Sequence, residues 1–503
     1  MSFLLPYSVA AATGVACHLG YFNRGEHHLY GVRYLQALFT ASLTLGAILA
    51  ASGVRSFSDV LQEVTKLIAF FLAGLYTSLL AYRVLFSPLN RFPGPFGAKF
   101  SNFWFSLRLS KRNAFQKVLE LHSKYGDFLR IGSNDLSIVH PEAVKAIYGP
   151  GSPCRKADWY DLTHPRVSLQ TLRSRMEHDQ RRRTWSMAFS DKALHDYEQR
   201  VNEHQDKLLA HIANAGGRVN VSRTFNFYNF DVMGDLAFGQ SFNMLTLSEY
   251  HSVVKLLHKG LQGLGYHFPT WFFRIMIAVP RLDDEWSEFM HYCSKEMQDR
   301  ITRGTSTPDI SSTLLKPYDG AKPSGAELRM LEGDANLNIV AGSDTTAAVM
   351  TYIIYELVRH PSHISKLRKE LASIDPFICP TKVQHQQLQH LDHLNGVIYE
   401  TLRLYPPVPT AIPRLTPPEG LTIRDVYVPG NTTVWSPQYV LGRSSKVYNN
   451  AESFIPERWY SNPELIKERS AFAPFSIGKL VCKIESAPES LQAHHSSPLL
   501  LAA

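Results

Sequence analysis

Cysteine is scarce in this 503-residue chain: Cys17, Cys154, Cys293, Cys379 and Cys482 are five in all, odd in number and none in a CxxC pair. That pattern excludes a paired-cysteine metal ribbon, argues against a disulfide framework and fits a reducing compartment. Zinc-finger spacing, an RNA-binding signature and a basic low-complexity arm are also lacking. The net charge of +8 therefore points away from nucleic acid and toward an anionic membrane surface or an acidic protein partner. Charge itself is missing from one long run, Tyr34 to Val54, which is long enough to span a bilayer.

What is present is a large reserve of core-forming residues, 45% hydrophobic against 19% charged, in the range of a globular protein. Leu67 to Tyr82 gives a second apolar run, extended by Val84-Leu85-Phe86 if Arg83 snorkels. Phe3 to Phe22 is a weaker third, interrupted by Pro6 and His18, and without the basic start of a cleaved signal. Residues 1–90 are thus expected to be an anchor of two or three membrane helices. Arg83, Arg91 and Lys99 favour a cytosolic face for the rest of the chain. The stretch Arg91-Phe92-Pro93-Gly94-Pro95-Phe96-Gly97 reads as a stiff elbow and a domain boundary, with residues 91–503 as the soluble domain.

That domain is organised around Glu327 to His360, framed by Pro323 and Pro361. About 34 residues at about 1.5 Å each predict a single rod of about 50 Å, buried in its apolar second half. Within it stand Ala341-Gly342-Ser343-Asp344-Thr345-Thr346, an acid and hydroxyls where packing alone favours Leu or Val. Glycine costs about 1 kcal/mol in a helix interior, and a threonine hydroxyl bonding the carbonyl four residues back loosens the turn. Such a turn could hold a small ligand and pass it protons; an ordinary kink explains it equally well.

Elsewhere, Phe128–Ile131 and Leu136–Val139 read as short strands, and Pro141 starts a short helix. His178 and Arg182 share a helical face within a run of three arginines, a solvated face by default and an anion site on the sharper reading. Phe225 to Phe242, with Asp231 and Asp235, reads as core, and 251–280 as core or an apolar lid. Glu400 and Arg403 are three apart on a helix ended by Pro406-Pro407, and Pro456-Glu457-Arg458-Trp459 brings a second arginine. Among apolar neighbours such a pair is expected to be buried and to need further partners. Ile412 to Trp435 reads as a hairpin turning at Pro429-Gly430-Asn431. Last, a glycine-containing turn leads to Cys482, a candidate iron-ligating thiolate where a lone cysteine is more often inert core.

Taken in order, Ala341–Thr346, Glu400-x-x-Arg403, Pro456–Trp459 and Phe475-x-x-Gly478-x-x-x-Cys482 resemble the cytochrome P450 haem-thiolate monooxygenases, of the membrane-bound fungal secondary-metabolism kind, over about residues 90–478. The resemblance implies a mainly α fold with a small β region behind the anchor. It implies haem, with Cys482 as the proximal iron ligand. Asp344 and Thr345 would deliver protons to dioxygen, and Gly342 would make room for it. Glu400, Arg403 and Arg458 would form a structural ion-pair network, and His178, Arg182 and Arg414 would meet the haem propionates. The partners implied are O2, an apolar small-molecule substrate and an NADPH-cytochrome P450 reductase on a basic face. The location implied is the endoplasmic reticulum membrane, with the catalytic domain in the cytosol.

The carboxyl end departs from the pattern. Leu480 and Ile484 stand where the family usually has arginine and glycine, and 21 residues follow Cys482, too few for the family's next helix and hairpin. Residues 479–503 are therefore expected to be atypical, a truncation or altered splice after Gly478, with weak haem retention. The alternatives are a haem-free product acting only as a membrane or interaction protein, and a haem enzyme of isomerisation or dehydration, against which the retained Asp344-Thr345 argues.

Overall fold

The structure is a computed structural model that describes residues 5–52, 56–109, 113–304, 308–318, 321–374, 385–410 and 412–478. The chain divides into two compact units, one of residues 1–112, 128–136 and 263–284, the other of residues 113–127, 137–262 and 285–503.

Among the described residues of the first unit two helices are long and apolar enough to cross a membrane: Gly31–Ala51, of 21 residues, and Phe57–Phe86, of 30 residues, whose most apolar 18-residue stretches have mean hydropathies of 1.5 and 1.7. Both begin earlier than the uncharged runs suggest. The first takes in Arg33, and the second takes in Asp59, Glu63 and Lys66, with Ser56 and Asp59 closing a capping box at its start. The weaker run also forms a helix, Leu5–Cys17, laid along Phe57–Ala81. Glycines set the crossing: a Cβ on Gly14 would lie 2.1 Å from the Phe71 carbonyl oxygen, and one on Gly74 would lie 2.0 Å from that of Ala11. Small residues of this kind let two backbones meet. Tyr7 donates its hydroxyl to Glu63 at 2.8 Å, and His18 Nδ1 is 2.8 Å from Ser78 Oγ. Arg83 donates to the Phe100 carbonyl at 2.6 Å.

The second unit has its core around Val221–Phe238, thirteen of whose residues are buried, so the aromatic run is core as its composition suggests. Asp231 accepts the backbone N–H groups of Met244 and Leu245 at 2.8 and 2.9 Å, and Asp235 takes Arg200. The expected 34-residue rod is two helices, Gly325–Gly342 and Asp344–Arg359, joined at Ser343. The start is a Ser324–Glu327 capping box, and Pro361 opens the next helix, with His360 displaced from the helical region before it at φ −127° and ψ 71°. The break falls where the sequence concentrates its helix-weakening residues. Thr345 Oγ1 donates to the Ala341 carbonyl at 2.7 Å, and the Cβ that Gly342 lacks would lie 2.5 Å from Met233 Sδ.

The β structure also differs from one simple hairpin. Arg414–Leu415 lies between Arg155–Lys156 and Thr433–Trp435, antiparallel to both. Leu421–Ile423 and Val426–Val428 form the tight hairpin, reversing at Arg424 with φ 55°. Pro429-Gly430-Asn431 instead turns the chain from that hairpin into the third strand.

Candidate functional site

Two constellations in the second unit carry chemistry. The first is cationic. The register of the short strands sets Lys156 directly opposite Arg414, like charges that repel at cross-strand distance, and both are buried. Arg414 donates to the Tyr160 hydroxyl at 2.7 Å and packs 5.3 Å over the Tyr148 ring. Lys156 donates to the carbonyls of Leu169 and Gln170 at 3.2 and 2.6 Å. Burial, and then Arg414, push its ammonium down to about 7. On the Arg175–Ala188 helix, His178 is buried and its Nδ1 is 3.2 Å from Asp179 Oδ1. Burial first, and then Lys156, push this imidazole down to about 4, and Arg182 adds to the depression against Asp179.

Four basic side chains thus feel one another in a partly dry place, an arrangement that an anion of two charges would complete. Tyr148 also lines a small cleft with Val408, Ile412, Ser436 and Ser476, and the buried hydroxyl of Ser476 has no partner among the described residues. Of the arginine run, Arg181 proves structural: its Nε donates to buried Asp334 at 2.7 Å, beside the Trp185 indole N–H at 3.1 Å.

The second constellation is the acid at the helix break. Asp344 Oδ1 accepts from Asn226 Nδ2 at 2.7 Å and lies 3.2 Å from His258 Nε2. Asp344 and His258 each keep about a third of their side-chain surface in solvent, at 33% and 37%. Solvent, an imidazole, a carboxylate and the Thr345 hydroxyl one residue on are gathered at the turn where the backbone is weakest. Gly342 gives its open side to Met233.

A third group in the second unit is the Glu400 network. Glu400 Oε1 accepts from Arg403 at 2.7 Å, from Arg458 at 2.9 Å and from the Ile455 N–H at 2.8 Å. Its Oε2 takes Arg403 Nε at 2.8 Å and the Trp459 indole N–H at 3.0 Å. Arg403 also reaches the carbonyls of Gly442, Ala451 and Ser453. Neither arginine has side-chain surface in solvent. With every lone pair and donor occupied, the burial of three charges is offset.

Cys482 lies outside the described residues, as do all residues from 479 on. Lys156, Asn226, His258 and Trp459 are the members that sequence reasoning missed. Only the capacity of Trp459 to donate a hydrogen bond, next to Arg458, was open to notice there.

The sequence matches the cytochrome P450 family profile over residues 93–483, through Cys482. The tryprostatin B 6-hydroxylase of Aspergillus fumigatus is 46% identical over 484 residues, 94% of this chain and 86% of that protein. Cytochrome P450 monooxygenase notG' of Aspergillus versicolor is 45% identical over 481 residues, 95% of this chain and 88% of that one. Among solved structures, the haem domain of cytochrome P450DA superposes with a TM-score of 0.60 at 17% identity, over 75% of this chain and 82% of that one, a likeness of fold. The cationic wall fits the carboxylates of the family's cofactor. The chain therefore belongs to the cytochrome P450 family and is a haem-thiolate monooxygenase.

Proposed function

We propose that this chain is a membrane-anchored fungal monooxygenase of secondary metabolism that oxidises an apolar small molecule, with electrons from an NADPH-cytochrome P450 reductase. The observation that carries the reading is the buried like-charge pair Lys156–Arg414 with His178 and Arg182 beside it. These four would hold the two haem propionates, and Cys482 would supply the sulfur ligand. Bound haem supplies the activation of O2.

The chain's own part is positioning and proton delivery. Asn226 fixes Asp344 from one side, leaving His258 to exchange protons between solvent and the carboxylate. The Thr345 hydroxyl spends its hydrogen on the Ala341 carbonyl, which orients the oxygen's lone pairs and readies it to accept one proton as it gives up another. Glu400, Arg403 and Arg458 have a structural role, fixing the segments around them.

The two long apolar helices of the first unit support an anchor in the endoplasmic reticulum membrane with the catalytic domain cytosolic. Net charge +8 supports docking of an acidic reductase. Because a relative 46% identical is named for its action on tryprostatin B, that compound is the first substrate to test.

The test is a reduced-plus-CO difference spectrum on the purified full chain, followed by turnover with reductase. A thiolate-type band, and product per O2 consumed that falls by about tenfold or more in Thr345→Val and Asp344→Asn, is the expected result. Absence of haem absorbance would leave the haem-free reading, a membrane or interaction protein, in its place.

A further inference from the structure

Outside this site, three side chains from three separate elements converge in the second unit. His363 lies on the Pro361–Ala372 helix, His393 at the start of Asp392–Leu404, and Glu457 in the Pro456–Trp459 turn. His363 Nδ1 is 3.3 Å from His393 Nε2 and 3.7 Å from Glu457 Oε1, and the three atoms all lie within 4.8 Å of one another. Both imidazoles are buried. A tetrahedral zinc with bonds of about 2.0–2.1 Å separates neighbouring ligand atoms by about 3.3–3.4 Å, a spacing the two imidazoles meet at 3.3 Å and the carboxylate exceeds at 3.7 Å from His363.

The surroundings set the ligands' orientation and protonation. His393 Nδ1 lies 2.9 Å from the Tyr460 hydroxyl. A proton placed there leaves Nε2 with its lone pair toward the cluster, the arrangement that an outer hydrogen bond enforces on metal-bound histidine. Glu370 accepts the backbone N–H groups of His393 and Leu394 at 2.8 and 2.9 Å, so the two helices are already tied and little ordering remains to be done. Burial holds both imidazoles below the usual histidine range, with Lys366 adding to it in each case and His360 for His363, against Glu457. Lys366 Nζ contacts Glu457 Oε1, competing for that oxygen, but its side chain is 53% exposed and free to swing into water.

We propose that His363, His393 and Glu457 form a site for one divalent transition-metal ion of the zinc class, with solvent completing its coordination. Two imidazole nitrogens and one carboxylate select zinc-like ions over magnesium or calcium, which prefer all-oxygen sets. Occupied, the site would pin the starts of two helices to the turn carrying Arg458 and Trp459, and so brace the Glu400 network from outside.

The experiment is calorimetric titration of the chelator-treated, desalted, full-length holoenzyme with ZnCl2, with MgCl2 as control, and the thermal midpoint read alongside. Expected are one saturable zinc equivalent, a raised midpoint and no response to magnesium. His393→Asn and Glu457→Gln should each weaken zinc binding by about tenfold or more, and Tyr460→Phe by about tenfold, while Lys366→Ala should tighten it by removing the competing ammonium. Should His393→Asn or Glu457→Gln fail to fold, Lys366→Ala and Tyr460→Phe decide, since neither removes a ligand. No zinc binding, or zinc binding that these substitutions leave unchanged, overturns the proposal and makes the trio a hydrogen-bonded cluster.

Discussion

Glu400 and Arg458, 58 residues apart in the chain, meet through a 2.9 Å hydrogen bond from Nε to Oε1, with neither side chain exposed to water. Arg403 closes on the same carboxylate from its own helix. Glu400→Gln keeps the shape and removes the charge, leaving two guanidinium groups without a counterion in a dry place. The expected loss is about 3–5 kcal/mol, read as a drop in the midpoint of urea or thermal unfolding followed by circular dichroism. A loss below about 1 kcal/mol would mean that the carbonyls around Arg403 and Arg458 suffice for both.

Lys156 gives a pH dependence. Its ammonium sits at about 7 in the fold against 10.5 in the free chain, so between those values the unfolded state binds more protons. Stability of the haem-free protein is expected to rise with pH across that window, with the cost of charging the buried lysine fully present below about pH 7. Lys156→Met should flatten this slope when thermal midpoints are compared from pH 6.5 to pH 10, and an unchanged slope in the variant would assign it to other groups.

The helix crossing in the first unit is set by backbone contact. A Cβ on Gly74 would lie 2.0 Å from the Ala11 carbonyl oxygen, which no rotamer change can relieve. Gly74→Val is expected to cost about 1–3 kcal/mol and to part the Leu5–Cys17 helix from Phe57–Ala81, breaking the Tyr7–Glu63 hydrogen bond. Limited proteolysis in detergent micelles checks it: the amino-terminal helix should be cut faster in the variant, and equal rates would refute the close approach.

Much of the Glu400 network was legible because Glu400 and Arg403 are three apart, a spacing any helix brings to one face, and because prolines mark the loop of Arg458. The partners of Asp344 were not. Asn226 and His258 are 118 and 86 residues away, on helices whose packing no local pattern specifies. The arginine run 181–183 shows the same limit, since only Asp334, 153 residues on, distinguishes Arg181 as buried. Lys156 escaped notice because a two-residue strand has no periodicity to read, and its significance lies in the register opposite Arg414. The single rod became two helices because glycine and hydroxyl penalties, each tolerable alone, fall within one turn.

Trp459 adds a polar tie between the Glu400 helix and the Phe472 segment, which also meet through Tyr399, Ile398 and Leu402. Its indole N–H ends on Glu400, and its ring lies 4.5 Å from that of Phe472, at the head of the peptide that runs on toward Cys482. The direction in which that peptide sets out is thereby inherited from a carboxylate. In the haem enzyme proposed above, with Cys482 as iron ligand, the earliest symptom of a fault in this joint would be a change in the pigment's colour, ahead of any softening on heating.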